Sequence, residues 1–157
     1  MKNLFLFSLL FISTLLISCE RRIVDDIPHL HQLYIQFVNQ KGENVLKDVA
    51  IEKLKNNIEV LADEDGNKIL YSIKYVKYEE KEYLYIQASS MPGVYLKEIN
   101  YTIKSKEIFG DEEWHYIKST WVKNNNNAVS EMVSIDEQIL QQEKINEFLR
   151  LYTFRTK

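Results

Sequence analysis

Ile69-Leu70-Tyr71-Ser72-Ile73-Lys74-Tyr75, broken at Glu79-Glu80-Lys81 and resumed as Tyr83-Leu84-Tyr85-Ile86-Gln87-Ala88, is the stretch that decides the fold class. Ile69, Tyr71, Ile73 and Tyr75 fall on one side of an extended chain, while Leu84, Ile86 and Ala88 oppose Tyr83, Tyr85 and Gln87. Successive side chains of a strand point to opposite faces, so alternation with period two marks half-buried strands. Tyrosine suits both faces, so the alternation alone does not decide the inward side.

Working outward, Glu64-Asp65-Gly66-Asn67 precedes the stretch, and its Asp-Gly pair accommodates the positive φ angles of a tight hairpin turn. Farther upstream, Leu33, Ile35 and Phe37 alternate with Gln32, Tyr34 and Gln36 until Gln40-Lys41-Gly42-Glu43-Asn44 interrupts them. Apolar stretches from Val45 to Ile51 and from Ile58 to Leu61 follow. Downstream, Met91-Pro92-Gly93 marks a turn, and Ile99, Tyr101 and Ile103 alternate with Asn100, Thr102 and Lys104. Trp114 to Val122 and Ala128 to Ile135 flank the tract Asn124 to Asn127 as a last hairpin. Near the end, Ile145, Phe148, Leu149 and Tyr152 fit helical spacing, whereas Phe148 to Phe154 also fits a strand. The reading adopted is a short helix from about Asp136 to Asn146, then a strand. Six to eight short strands predict a mainly β chain, a single antiparallel β-sandwich, immunoglobulin-like or related.

The first residues carry a different message. Met1-Lys2-Asn3 leads into an apolar run from Leu4 to Ile17, which ends at Ser18-Cys19-Glu20-Arg21-Arg22. This is the layout of an export leader. The run is shorter than the roughly twenty residues a helix needs to cross a bilayer. Leu16-Ile17-Ser18-Cys19 resembles the lipobox of bacterial lipoproteins. That resemblance implies cleavage before Cys19, a diacylglycerol on its thiol and acylation of the new amino terminus. Cys19 is the chain's only cysteine, so no disulfide forms within it. Two or three acyl chains anchor stably where one is marginal.

The expected organisation is a leader over 1–18, a lipidated tether over 19–30 containing Asp25-Asp26 and Pro28, and one domain over 31–157. Removing the leader takes Lys2 and no acid, so Lys plus Arg falls from 20 to 19 against 23 acids, and the formal charge moves from -3 to -4. A weakly acidic chain is a poor match for nucleic acid, which demands clustered positive charge. Arg21-Arg22 is too short to act as a polybasic membrane patch by itself.

Few residues suggest chemistry. His29 and His31 form a His-x-His pair whose rings point to one side of a strand, a geometry suited to a metal if further ligands were near. The sequence offers no second cluster with ligand spacing, so the expectation is surface histidines and no metal or other cofactor. Asp63-Glu64-Asp65-Gly66-Asn67 crowds oxygen ligands but lacks the twelve-residue calcium loop, and a hairpin turn explains it. Tyr71, Tyr75, Tyr83, Tyr85 and Tyr95 either form an exposed aromatic platform or serve as half-buried strand residues, and the latter is preferred.

Phe109-Gly110-Asp111-Glu112-Glu113-Trp114-His115, followed by Trp121, is the densest gathering of unusual residues. Asp111, Glu113 and His115 would make an acid/base or cation site beside an aromatic wall, with Asp111, His115, Trp114 and Trp121 as candidate binding residues. The structural alternative makes Gly110 a corner, the acids a solvated loop and the tryptophans packing residues. Together with the lipobox, the Phe109-Gly110-Asp111, His115 and Trp121 pattern resembles small Bacteroidota-type lipoproteins of unknown function. The resemblance implies an envelope location, with the outer membrane favoured, and a compact β domain, and it carries over no activity. The expected function is therefore a noncatalytic, membrane-anchored module that binds an envelope protein or glycan. The alternatives are an envelope hydrolase with its site near Asp111 and His115, and a structural subunit of an envelope complex.

Overall fold

The computed structural model describes residues 29–61, 69–90, 95–124 and 127–156. The leader, Cys19, most of the tether, the turns at Asp63 to Asn67 and at Met91 to Gly93, and the centre of the asparagine tract lie outside the described residues.

Strand β1 (Leu30–Val38) leads through a 3-10 turn (Leu46–Asp48) into helix α1 (Ile51–Lys55). Strands β2 (Ile58–Val60), β3 (Leu70–Tyr78), β4 (Lys81–Ser89) and β5 (Glu98–Ile103) precede helix α2 (Lys106–Phe109). Five more strands complete the chain: β6 (His115–Asn124), β7 (Asn127–Ile135), β8 (Gln138–Ile139), β9 (Gln141–Lys144) and β10 (Arg150–Arg155). The chain is mainly β, as its alternating pattern predicts.

All these strands belong to one connected sheet, and β1 is its hub. One edge of β1 pairs antiparallel with β4, from Leu30 opposite Ser89 to Ile35 opposite Leu84. Its other edge is shared, by β7 at His31 and by β10 from Ile35 opposite Tyr152 to Val38 opposite Arg155. Both of these pairings are parallel, a departure from the purely antiparallel expectation. Parallel neighbours need a long crossover between them, and here nearly the whole described chain supplies it. From β7 the sheet continues antiparallel through β6 and β5 to β2.

The sheet curls until its ends meet across one core, so the two facing layers are parts of a single surface. On β3 the Tyr71 hydroxyl donates to the Ile58 carbonyl of β2 at 2.8 Å, and Tyr75 donates to the Val49 carbonyl at 3.0 Å. Between the layers lie Leu33, Ile35 and Phe37 of β1, Leu84 and Ile86 of β4, Tyr101 of β5, Ile117 of β6, Val133 of β7 and Tyr152 of β10. Leu54 of α1 caps the same cluster, fully buried. Each such side chain contributes about 1.5–3 kcal/mol by leaving water.

The helix expected from about Asp136 to Asn146 is corrected. Asp136 and Glu137 take positive φ angles of 48° and 68°, which reverse the chain in a two-residue turn. Residues 138–139 then pair back on β7, and residues 141–144 pair with β10. Only Leu140 is buried between Asp136 and Lys144, so a helix there would lack an apolar stripe to anchor it. The strand expected after it does form, as β10, inside the sheet between β1 and β9. Upstream, His29 and Leu30, read as the end of the tether, are the folded entry to β1.

Candidate functional site

Three pieces of chain converge on His115. Helix α2 ends at Gly110, whose φ of 87° is left-handed and whose amide donates to the Lys106 carbonyl at 2.8 Å. A side chain at that φ would be strained, so the corner expected at Gly110 has a backbone cause. The corner turns the chain into Asp111, whose Oδ1 accepts the Glu113 amide at 3.1 Å and lies 2.9 Å from His115 Nε2. On the far side of the ring, Asp136 Oδ2 lies 2.5 Å from His115 Nδ1. The second oxygen of Asp136 accepts the Tyr116 amide at 2.8 Å, and the Asp136 amide donates to the Tyr116 carbonyl at 2.9 Å.

The face of the imidazole is occupied as well. Phe109 stacks on it with ring centroids 3.6 Å apart and planes 14° from parallel. Phe109 in turn packs near Phe37 and Phe154, at centroid distances of 6.0 and 5.8 Å, which joins the histidine to the core. The His115 side chain is only 14% exposed, against about half for each of its carboxylate partners. Burial disfavours its charged form, but the hydrogen bonds and charges of Asp136 and Asp111 outweigh this and raise its pKa above the usual 6.5. Protonated, the ring donates from both nitrogens to two carboxylates, which is the form the geometry favours.

This arrangement limits the chemistry. A general base needs a bare ring nitrogen, and an acid must release its proton toward a substrate. Asp111 does come within hydrogen-bond reach of His115 in a concave site, as a hydrolase would require, but both nitrogens are already committed. The cleft beside them is small, about 120 Å³, with Phe109, Ile135 and Phe154 as apolar walls and Gln138 and Thr156 at its edges. Organic ligands normally occupy about 300–1,000 Å³. The Thr156 hydroxyl is no activated nucleophile here, since neither His115 nitrogen is open to take its proton.

The remaining candidates separate. Glu113 is exposed and contributes its amide to the Asp111 turn. Trp114 is 47% exposed and Tyr116 is 40% exposed, flanking the clamped histidine. Trp121 is 3% exposed and lies at the other end of β6, where its indole donates to Ser119 Oγ at 2.9 Å. Its companions there include His31, whose ring meets it edge-on with centroids 5.0 Å apart. His31 is fully buried rather than a surface residue, which corrects the expectation for it. Its Nε2 bonds the Leu96 carbonyl at 3.0 Å, and burial lowers its pKa despite that bond. Among the described residues no three His, Cys, Asp or Glu side chains gather as a metal site.

The tyrosines do not form one platform. Tyr71 is 40% exposed although its hydroxyl is bonded, Tyr75 is half-buried against the core with its hydroxyl bonded, Tyr83 and Tyr85 are buried on the opposite face of the sheet, and Tyr95 packs against His29 and His31. Sequence reasoning missed Asp136, which has no local signal beyond its place in a turn. No known protein family, curated protein or solved structure matches the chain.

Proposed function

We propose that this chain is a cell-envelope lipoprotein, cut before Cys19 and anchored by lipid on that thiol, whose β domain is a noncatalytic binding module for an envelope protein or glycan. The observation that carries the noncatalytic part is the double engagement of His115, which turns the best candidate catalytic residue into a clamp. The exposed rings of Trp114 and Tyr116 beside that clamp support the binding part, because amphipathic aromatics on a rigid element make efficient contact surfaces. The lipid reading rests on the leader and on Leu16 to Cys19. The hydrolase alternative draws on the same Asp111–His115 contact and is weakened by the absence of an open ring nitrogen.

Capture from intact cells after mild crosslinking tests the proposal, with Cys19→Ala as the control for membrane placement and Trp114→Ala with Tyr116→Ala as the control for the surface. Recovery of one envelope component by the anchored chain, lost in both controls, is the expected result. Equal recovery by the double aromatic variant would overturn the assignment of that surface.

A further inference from the structure

The His-x-His pair lies beside Trp121, at the end of the molecule away from His115, where β1 enters the sheet. We propose that His29 and His31 bind one copper(I) ion through their Nδ1 atoms, with the rings of Tyr95 and Trp121 as the walls of the site. Such a site is independent of the surface at Trp114 and Tyr116 and of the lipid anchor.

The pairing of β1 with β4 begins at Leu30 opposite Ser89 and extends one step beyond it, where the Ser90 amide donates to the His29 carbonyl at 3.4 Å. Residues two apart on an extended chain share a face, so both imidazoles point to the side that carries Leu33 and Ile35. Tyr95 lies against both rings, nearly perpendicular to His29 with centroids 5.5 Å apart and stacked on His31 at 5.8 Å. Trp121 closes the far side of His31, with centroids 5.0 Å apart. Within this one cluster His29 Nδ1, His31 Nδ1 and the Tyr95 hydroxyl are all buried, and none has a hydrogen-bond partner among the described residues. Folded proteins leave few buried polar atoms unpaired, so three in neighbouring rings point to a shared ligand.

The chemistry of these atoms selects the ligand. A carbonyl only accepts, so the 3.0 Å contact with the Leu96 carbonyl places the N–H of His31 on Nε2. Burial lowers the His31 pKa, outweighing the Leu96 and His29 carbonyls, and the charge of His29 lowers it further. The ring is therefore neutral, with its lone pair on the buried Nδ1. An imidazole whose other nitrogen is held by a backbone carbonyl has the support that metal-bound histidines use to fix their tautomer and orientation. Tyr95 keeps its proton, because burial and the Glu131 charge push its pKa up to about 12. The donors are thus neutral, and among the described residues no Asp, Glu or Cys joins the two histidines. Zinc in a closed protein site takes four ligands, and a buried divalent charge needs anionic ones to offset it. Imidazole also suits copper, and copper(I) carries a single charge and is satisfied by two imidazoles in line.

Titration of the full chain with copper(I) in detergent, without oxygen and against bicinchoninate as a competing chelator, tests the site. Cys19→Ala removes the only thiol, which would itself take copper(I), and Trp114→Phe leaves Trp121 as the only tryptophan. One ion per chain is expected, with Trp121 emission quenched as it binds. His29→Ala and His31→Gln should each weaken the affinity at least 100-fold, with circular dichroism confirming the fold of each. His29 is only half-buried, so its alanine variant carries the test if His31→Gln does not fold. Zinc(II) at equal concentration should leave the bound copper(I) in place. No copper(I) held against the chelator, or equal affinity in His29→Ala, overturns the proposal and assigns these atoms to a trapped water. Displacement by zinc(II) would overturn the choice of metal.

Discussion

Asp136 grips two consecutive residues at once, His115 through Oδ2 at 2.5 Å and Tyr116 through Oδ1 at 2.8 Å. One carboxylate in the β7–β8 turn thus fixes the ring orientation of a histidine and the backbone position of the next residue. His115 faces the cleft and the core, and Tyr116 faces out, so the turn sets the relation between a buried site and an exposed one. Asp111 closes the other side of the ring from a different part of the chain, and Phe109 lies against its face.

Stability should fall on the alkaline side. The folded state holds the His115 pKa above its unfolded value of 6.5, so the clamp contributes fully below that value and is lost as pH rises through the folded-state value. With both carboxylates half exposed, the loss is about 1 kcal/mol. Urea unfolding across this range is expected to show it, and His115→Phe should flatten the dependence.

The two acids are unequal. Asp136→Ala removes the ring contact and the Tyr116 amide contact, and is expected to cost about 2 kcal/mol. Asp111→Ala removes an exposed contact and a turn bond, and should cost about 1 kcal/mol. Equal costs from chemical unfolding would contradict the asymmetry between the two sides of the ring.

At the β3–β4 turn, Glu79 and Glu80 adopt φ angles of 46° and 64°, a conformation that costs non-glycine residues roughly 1–2 kcal/mol each. Replacing the pair by Asn-Gly, which suits such a turn, should raise stability by about 1 kcal/mol, measurable as an upward shift in melting temperature.

The C-terminal strand is structural. Phe154 is buried near Phe37 and Phe109, so Phe154→Ala should cost about 3 kcal/mol or more, whereas the half-exposed Phe148 should tolerate alanine within about 0.5 kcal/mol. Similar unfolding midpoints for the two variants would argue against β10 as an inner strand.

The strands were legible where alternation is long, as in Leu33 to Phe37 and Tyr83 to Ala88, because a period of two needs only local information. Residues 138–144 were not, since nearly all of them are exposed and only pairing with β7 and β10 holds them extended. The candidate site was half legible. Asp111 and His115 are close in sequence and meet through the Gly110 corner, but Asp136 reaches the ring only through strand pairing. Trp121 is near them in sequence, yet six residues along a strand span roughly 20 Å, which carries it to the other end of the core. His31 looked like a surface residue because a lone strand does not reveal the Leu96 carbonyl and Trp121 that enclose it.

His115 is a cation held on both sides, and nitrogen-15 NMR of the imidazole at neutral pH tests this most directly. Both ring nitrogens of His115 are expected to carry protons, with the pattern persisting in Trp114→Ala and shifting toward a neutral ring in Asp136→Asn. A neutral tautomer with one bare nitrogen in the unsubstituted chain would contradict it, and would restore His115 as a candidate catalytic base.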